Sequence, residues 1–295
     1  MSAAPLVSIG LPVYNGARYL ACALDCLLGQ TLADFELIIS DNASTDRTAE
    51  ICLDYAARDA RIRYIRQESN IGVTRNWNFV ALQARGQYFK WASANDFCDP
   101  RMLEKCVGVM RTDPSIVLCQ GRTCLVNEET GERRQYASDV SATDPRPSER
   151  YKLVVRMLFL NNELCGVIRL DVLRRTPLMS PDYTSSDLVL TAELALHGRI
   201  VLLPEILFYR RLGRASSTMH LKPAEVQALY FPGSAAQPRF RRWRRRIDLF
   251  RAIARAPISF SEKLRTLGVA AHGAGRHLLF KSLPAGEREL ISYKK

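Results

Sequence analysis

Several features that would narrow the class at once are missing from this chain. No run in the 295 residues reaches the ~18 consecutive apolar positions of a membrane-spanning helix, so no helical span is expected. The N-terminal stretch MSAAPLVSIG has no basic patch ahead of an apolar run and no small-residue cleavage pattern. A secretory signal is therefore not expected, and the cytosol is the expected compartment. The eight cysteines, at 22, 26, 52, 98, 106, 119, 124 and 165, contain no C-x-x-C and no Cys/His cluster at zinc spacing. They read as reduced, buried thiols rather than staples or metal ligands. Neither G-x-G-x-x-G after the first strand nor G-x-x-x-x-G-K-[ST] occurs, which disfavours a dinucleotide cofactor and a P-loop. Internal repeats are absent, and the only biased tract is an arginine cluster near the C-terminus.

What is present is an ordinary globular composition, 47% hydrophobic and 24% charged, with an uneven distribution of charge. The formal net charge is +12, of which residues 221–295 carry +11 and residues 1–220 only +1. A near-neutral body of about 220 residues followed by a basic tail suggests a catalytic or binding domain tethered to an anionic surface.

The first hundred residues repeat a β-branched or apolar run, a polar turn and an amphipathic stretch. The strands are 7-VSIGLPVY-14, 35-FELIISD-41, 62-IRYIRQ-67 and 88-YFKWAS-93; helices are expected near 17–29, 46–58, 73–85 and 100–112. Strands apolar on both faces and separated by helices imply a mostly parallel sheet, Rossmann-like, with helices on both faces. After residue 112 come two extended runs within 115–136 joined by an acidic, Gly-containing turn, and a polar loop at 139–150 that is expected to be mobile. A helix near 150–161, a strand at 165–170, a helix at 186–198 and a strand at 200–211 complete the body. In 240-FRRWRRRIDLFRAIAR-255, Phe240, Trp243, Ile247, Phe250 and Ile253 share a helical face opposite arginines. That pattern fits a membrane-interface helix, or an amphipathic helix packed on the body with a solvated arginine face. Without aromatic platforms interleaved among the arginines, nucleic acid is not an expected partner.

In such a sheet ligands bind beyond the carboxyl ends of the strands. The first ends in 12-PVYNG-16, where Pro12, Tyr14 and Asn15 make a rigid turn with a ring available for stacking. The second ends at Asp41, whose carboxylate suits an imide N–H or a ribose hydroxyl, while Asp46 reads as a helix cap. After the third, Arg75 falls in the first turn of a helix, a position that suits a diphosphate. After the fourth, 91-WASANDFCDP-100 carries Asn95 and Asp96, either ligands for a cation or an Asx turn.

Taken in order, VSIGLPVYNGARYL, ELIISDNASTDRT, NIGVTRNWN, WASANDFCDP and SDLVLTAELALHGRIVLLPEILFYRR resemble the family 2 glycosyltransferases of the GT-A fold. Those are inverting enzymes that use a nucleotide-diphosphate sugar. The resemblance covers residue 6 to about 212. It implies a GT-A domain over 1–220, with a nucleotide-binding half at 1–112 and an acceptor-binding half at 113–220, followed by a basic helical tail at 221–295. It further implies that Pro12, Tyr14, Asn15 and Asp41 hold the base and that Arg75 lies near the nucleotide. Asn95-Asp96 occupy the family's Asp-x-Asp metal motif, with Ser93 where an Asp is usual. Asp96 is then the ligand of a divalent magnesium or manganese ion, and Asn95 joins it or contacts the sugar. Asp187, in the Ser186-Asp187 pair that opens the helix before the last strand, is implied as the general base. Arg210 or Arg211 would offset charge on the departing diphosphate, whereas Leu212 and Gly213 stand where a His is frequent. Expected partners are a nucleotide-sugar donor with UDP favoured, a glycan or lipid-linked acceptor, and an anionic membrane surface beneath the tail. His197 and His220 are expected to be surface imidazoles.

Overall fold

The computed structural model describes residues 4–213, 221–232 and 241–271. The first 112 residues run as β1 (Val7–Val13), α1 (Ala17–Leu28), β2 (Phe35–Asp41), α2 (Thr48–Arg58), β3 (Ile62–Arg66), α3 (Val73–Gln83), β4 (Tyr88–Trp91), β5 (Phe97–Cys98) and α4 (Met102–Thr112). The remainder follows as β6 (Ile116–Asn127), β7 (Arg133–Gln135), α5 (Pro147–Met157), β8 (Val167–Arg169), α6 (Leu170–Leu173), α7 (Asp187–His197), β9 (Arg199–Leu212), α8 (Pro223–Tyr230), α9 (Arg241–Arg255) and α10 (Phe260–Ala271).

The strands join in one sheet, ordered β3-β2-β1-β4-β8-β6-β9-β5, with β7 added to β6. Pairings β3/β2, β2/β1, β1/β4 and β6/β9 are parallel, whereas β8 is antiparallel to both its neighbours and β5 is antiparallel to β9. The expected mostly parallel sheet is present, and β8 is its one reversed interior strand.

The period of two along each strand sorts side chains into two cores. Val7, Ile9, Leu11 and Val13 of β1 pack with Leu20 and Leu24 of α1 and with Leu103 of α4. Phe89 and Trp91 of β4 point the other way, into Val80 of α3, Val154 of α5 and Leu190 and Leu194 of α7. Gly10 is required at its place, because a Cβ there would stand 2.7 Å from Val80 and 2.8 Å from Phe89. Pro12 lies beyond the last β4 pairing, at Gly10↔Trp91, so its missing N–H costs no ladder bond on that side.

Several boundaries differ from the sequence reading. The strand expected over 88–93 stops at Trp91, and Phe97–Cys98 forms a separate two-residue strand on β9. The loop expected to be mobile is anchored: Val140 and Ala142 are buried, and Ala142 exchanges two 2.9 Å backbone bonds with Ile200. The helix expected over 150–161 begins earlier, with Pro147 in its first turn, and ends at Met157. The chain then turns through Asn161, in the left-handed region at φ 52°, into a short 3-10 turn, Asn162–Cys165. His197 is half-buried rather than on the surface, with its Nε2 lacking a partner among the described residues, and burial lowers its pKa. Phe240 and His220 lie outside the described residues.

The described tail helices share the core of the body. Ala252, Ile253 and Ala256 are buried, and Arg255 reaches Glu193 of α7 at 3.0 Å. Glu262 of α10 accepts the Ser148 N–H at the start of α5 at 2.9 Å. The apolar stripe expected on α9 is thus divided: Ile253 faces inward, whereas Trp243, Ile247 and Phe250 are 62%, 44% and 41% exposed.

Candidate active site at the carboxyl edge of the sheet

β1, β2, β4, β6 and β9 all end at one edge, and the reversed β8 begins there. The same edge receives the N-terminus of α7, because that helix runs back to feed β9. Topology therefore gathers the strand-end loops, the Asn161–Cys165 turn and Asp187.

At the end of β2, Asp41 is fully buried and already engaged. Its Oδ1 accepts the Ser44 N–H at 2.8 Å, and its Oδ2 accepts the Tyr64 hydroxyl and an Arg66 N–H, both at 2.9 Å. A carboxylate has about four lone-pair directions, so three donors leave one unused. Burial, and next the hydrogen bond to Asp41, push the Tyr64 hydroxyl up to about 12, so it remains a donor. Tyr64 and Arg66 were not singled out in the sequence, although the signal was there. They are two apart on β3, and the register that pairs Asp41 with Arg66 puts both beside the carboxylate.

The turn after β1 is locked to the one after β2. Asn15, left-handed at φ 50°, donates its N–H to Ser44 Oγ at 2.9 Å and accepts the Thr45 N–H on Oδ1 at 2.8 Å. Asp46 accepts the Thr48 and Ala17 N–H groups, but the N-cap position of α2 is Arg47, so Asp46 acts in the turn before the helix and not as its cap. Tyr14 next to this lock remains 37% exposed. Arg75, in the first turn of α3, is exposed and makes no ion pair among the described residues.

Asn95 and Asp96 are half-buried between β4 and β5. Asp96 Oδ1 accepts the Arg211 N–H at 2.9 Å, a contact that ties this loop to the end of β9. Burial raises the Asp96 pKa, while Arg210 and Arg211 work against the rise. The Arg211 guanidinium lies over Tyr19 at 4.7 Å and Phe97 at 4.8 Å. Phe97 in turn stacks on Tyr209 at 4.8 Å. Among the described residues no group of three or more His, Cys, Asp or Glu could hold a metal unaided.

Asp187 opens α7, half-buried, and its Oδ2 accepts the Asn161 Nδ2–H at 2.8 Å. Thr191 steadies this amide, donating its hydroxyl to Asn161 Oδ1 at 2.9 Å. The other Asp187 oxygen has no hydrogen-bond partner among the described residues. Next in the chain, Asn162 accepts from Arg210 at 2.7 Å and donates to Asp139 at 3.3 Å. One path thus runs from Asp96 through Arg211 and Arg210 to Asn162, Asn161 and Asp187. Asn161 and Asn162 escaped the sequence reading, since a left-handed Asn followed by a 3-10 turn has no periodicity to betray it.

A cavity of about 590 Å³ lies elsewhere, between the 177–186 loop, α7 and α9, with Met179, Tyr183, Val189 and Ile247 among its walls. It touches α7 at Ser186, Val189 and Glu193, while Asp187 and Thr191 face Asn161. At 100° per residue these are opposite sides of the helix, so the cavity is not the space in front of Asp187.

Comparison with known proteins bears on the family and the fold. A family model, Glycosyl transferase family 2, matches residues 8–168. The chain is 41% identical over 101 residues to the uncharacterized glycosyltransferase EpsJ of Bacillus subtilis, 34% of this chain and 29% of that protein. It is 36% identical over 112 residues to the chondroitin synthase of Escherichia coli, 38% of this chain and 16% of that protein. It therefore spans less than a third of the length of either relative. In fold it is similar to S. aureus TarS 1-349 in complex with UDP, with a TM-score of 0.58 and 16% identity over 98% of this chain and 86% of that one. A mannosyltransferase from Pyrobaculum calidifontis in complex with GDP-Man and Mn2+ gives a TM-score of 0.54 at 16% identity, covering 99% of this chain and 85% of that one. The architecture is the GT-A fold, and the chain belongs to glycosyl transferase family 2.

Proposed function

We propose that the chain is an inverting glycosyltransferase of the hexosyl type, moving a sugar from a nucleotide-diphosphate sugar, UDP-linked by preference, to a hydroxyl of a glycan or lipid-linked acceptor. The observation that carries this reading is the state of Asp187. It is a half-buried carboxylate with one oxygen fixed by the Asn161 amide and the other without a partner among the described residues.

An inverting transfer needs a base in line with the anomeric carbon and opposite the leaving diphosphate. Asp187 would take the acceptor proton on its second oxygen while Asn161, held by Thr191, keeps the carboxylate oriented. On the donor side, Tyr14 would stack on the base, the remaining lone pair of Asp41 would accept from base or ribose, and the Asn15 lock and Pro12 would hold that loop rigid. Arg75 suits the diphosphate, and Arg210 or Arg211 would offset charge building on the leaving group. The relatives in fold lend support, since one is a complex with UDP and the other a complex with GDP-Man and Mn2+.

A divalent magnesium or manganese ion fits the residues present in one way. Asp96, with the Asn95 carbonyl beside it, would hold a cation that arrives coordinated to the diphosphate, because no three-carboxylate nest is available among the described residues. Such an ion supplies charge neutralisation of the leaving diphosphate.

The exposed Trp243, Ile247 and Phe250 beside the α9 arginines suit docking at the cytoplasmic face of an anionic membrane, each basic residue contributing about 1 kcal/mol. Among the described residues no helix is long and apolar enough to cross a membrane.

A second reading, a member that binds nucleotide sugar without turning it over, is favoured by the uncharged Asn95 and by the hold of the Arg211 N–H on Asp96. Calorimetric titration with UDP, GDP and dTDP, with and without manganese, separates the two when paired with a donor-hydrolysis assay. Metal-dependent nucleotide binding with hydrolysis that Asp187→Asn abolishes supports the enzyme; tight binding with no hydrolysis and no transfer supports the scaffold. Asp96→Asn, which keeps an acceptor for the Arg211 N–H, should lose the metal dependence.

A further inference from the structure

Two thiols outside the proposed chemistry stand against each other where α1 meets β5. The sulfurs of Cys26 and Cys98 are 3.2 Å apart, and the Cys98 N–H donates to Cys26 Sγ at 2.9 Å. Gln30 clamps the pair, donating to Cys98 Sγ and the Cys26 carbonyl at 3.3 Å and to the Asp99 carbonyl at 2.9 Å. Nearby Lys90 is buried on β4, donating to the carbonyls of Cys165 and Trp91 and making no ion pair among the described residues. The hydrogen bond from the Cys98 thiol, then the Cys98 amide and the Lys90 charge, lower the Cys26 pKa against the effect of burial. Asp25 opposes Lys90, so the two hydrogen bonds from Cys98 are what favour the thiolate, and a partly exposed thiol so held and backed by a second thiol is the arrangement that peroxide-sensitive pairs require. Elsewhere Cys106 and Cys119 are completely buried, and Cys52 is buried with its pKa pushed up to about 12 by its surroundings.

We propose that Cys26 and Cys98 are a reversible redox pair, oxidised by hydrogen peroxide to a disulfide that fixes β5 to α1 and thereby alters the donor site. In the first step the Cys26 thiolate attacks one peroxide oxygen, the O–O bond breaks, and hydroxide leaves to become water, giving a sulfenic acid. In the second the Cys98 sulfur attacks the Cys26 sulfur, the S–OH bond breaks, the Cys98 proton goes to the departing hydroxide, and a second water forms. Two thiols have then lost two electrons to one peroxide. A disulfide at ~2.05 Å asks the sulfurs to close by about 1 Å. That movement acts two residues beyond Asp96, on the strand whose Phe97 stacks on Tyr209 and lies beneath Arg211.

Only the effect on the donor site rests on the proposed function; the cross-link does not. Reduced full-length protein is treated with stoichiometric hydrogen peroxide and mapped by mass spectrometry, and UDP binding is measured before and after. The expected result is a Cys26–Cys98 cross-link two hydrogens lighter, reversed by dithiothreitol, absent in Cys26→Ser and Cys98→Ser and retained in Cys22→Ser, with at least a fivefold change in UDP affinity. Sulfinic or sulfonic acid at Cys26 without a cross-link, or a cross-link through any other cysteine, overturns the pair. A full cross-link with unchanged UDP affinity overturns its action on the donor site. Failure of the reduced protein to bind any nucleotide counts against the proposed function, and the cross-link map then decides the redox pair by itself.

Discussion

Asp41 and Asp187 stand at the same edge of one sheet and are held in opposite ways. Asp41 is sealed, with a hydroxyl, a guanidinium and an amide already on it. Asp187 has a single amide on one oxygen, and the segment that supplies it is a left-handed turn rather than a strand. Under the proposed function the difference follows from what each half of the edge would do. A recognition site gains from rigidity settled before the ligand arrives, whereas a base must keep a lone pair for the proton it will take.

The largest effect expected from this contrast is at the base. Asp187→Asn should lower kcat on the order of a thousandfold, within the usual range for loss of a general base, with UDP affinity changed less than twofold. Calorimetry and single-turnover transfer on the same preparation check both halves of the statement. An equal loss in nucleotide affinity would mean that Asp187 belongs to recognition, and the contrast would collapse.

The support of the base side should also be more sensitive to pH than the recognition side. Glu163, in the turn that presents Asn161 and Asn162, is buried and accepts the Val140 N–H at 2.7 Å. Burial above all pushes its carboxyl from 4.5 up to about 7. The folded chain therefore holds that proton more tightly than the unfolded chain does. Stability is fullest below the unfolded value and declines as pH rises from about 4.5 through about 7, by an amount on the order of 3 kcal/mol. Urea denaturation between pH 5 and 8 should show the decline, and Glu163→Gln, which keeps the acceptor, should flatten it.

On the recognition side, Asp41→Asn puts an NH2 group against Arg66 and removes a charge from a buried hub. A loss of about 2 kcal/mol in stability is expected, together with weaker UDP binding. Unchanged stability with lost binding would show that the seal around Asp41 is not structural.

Much of this edge was legible in the sequence because strand ends advertise themselves: apolar runs stop, and Tyr14, Asp41 and Asp96 follow. Asp187 was legible as the first residue of a helix that feeds a long strand. Less visible were elements too short to show a period, such as β5 with two residues and β8 with three, and the reversal of β8 within an otherwise parallel neighbourhood. Contacts across great sequence separation were also hidden. The Asp96 bond to the Arg211 amide spans 115 positions, and no local pattern encodes it. On α9, periodicity showed one apolar face but not its division between the core and solvent, which only the docking on α7 decides.

That division allows the smallest effect to be isolated. Arg255 neutralises Glu193, whose side chain is 2% exposed, so Arg255→Ala should cost stability while leaving the outward face intact. The double change Trp243→Ser and Phe250→Ser removes apolar surface that already faces solvent, so the melting temperature should hold while partitioning onto anionic phosphatidylglycerol vesicles falls about tenfold. Raising salt should weaken the arginine contribution in both the native protein and the variant. If the variant binds vesicles as well as the native protein, the exposed half of α9 does not insert, and the arginines alone account for any surface attraction.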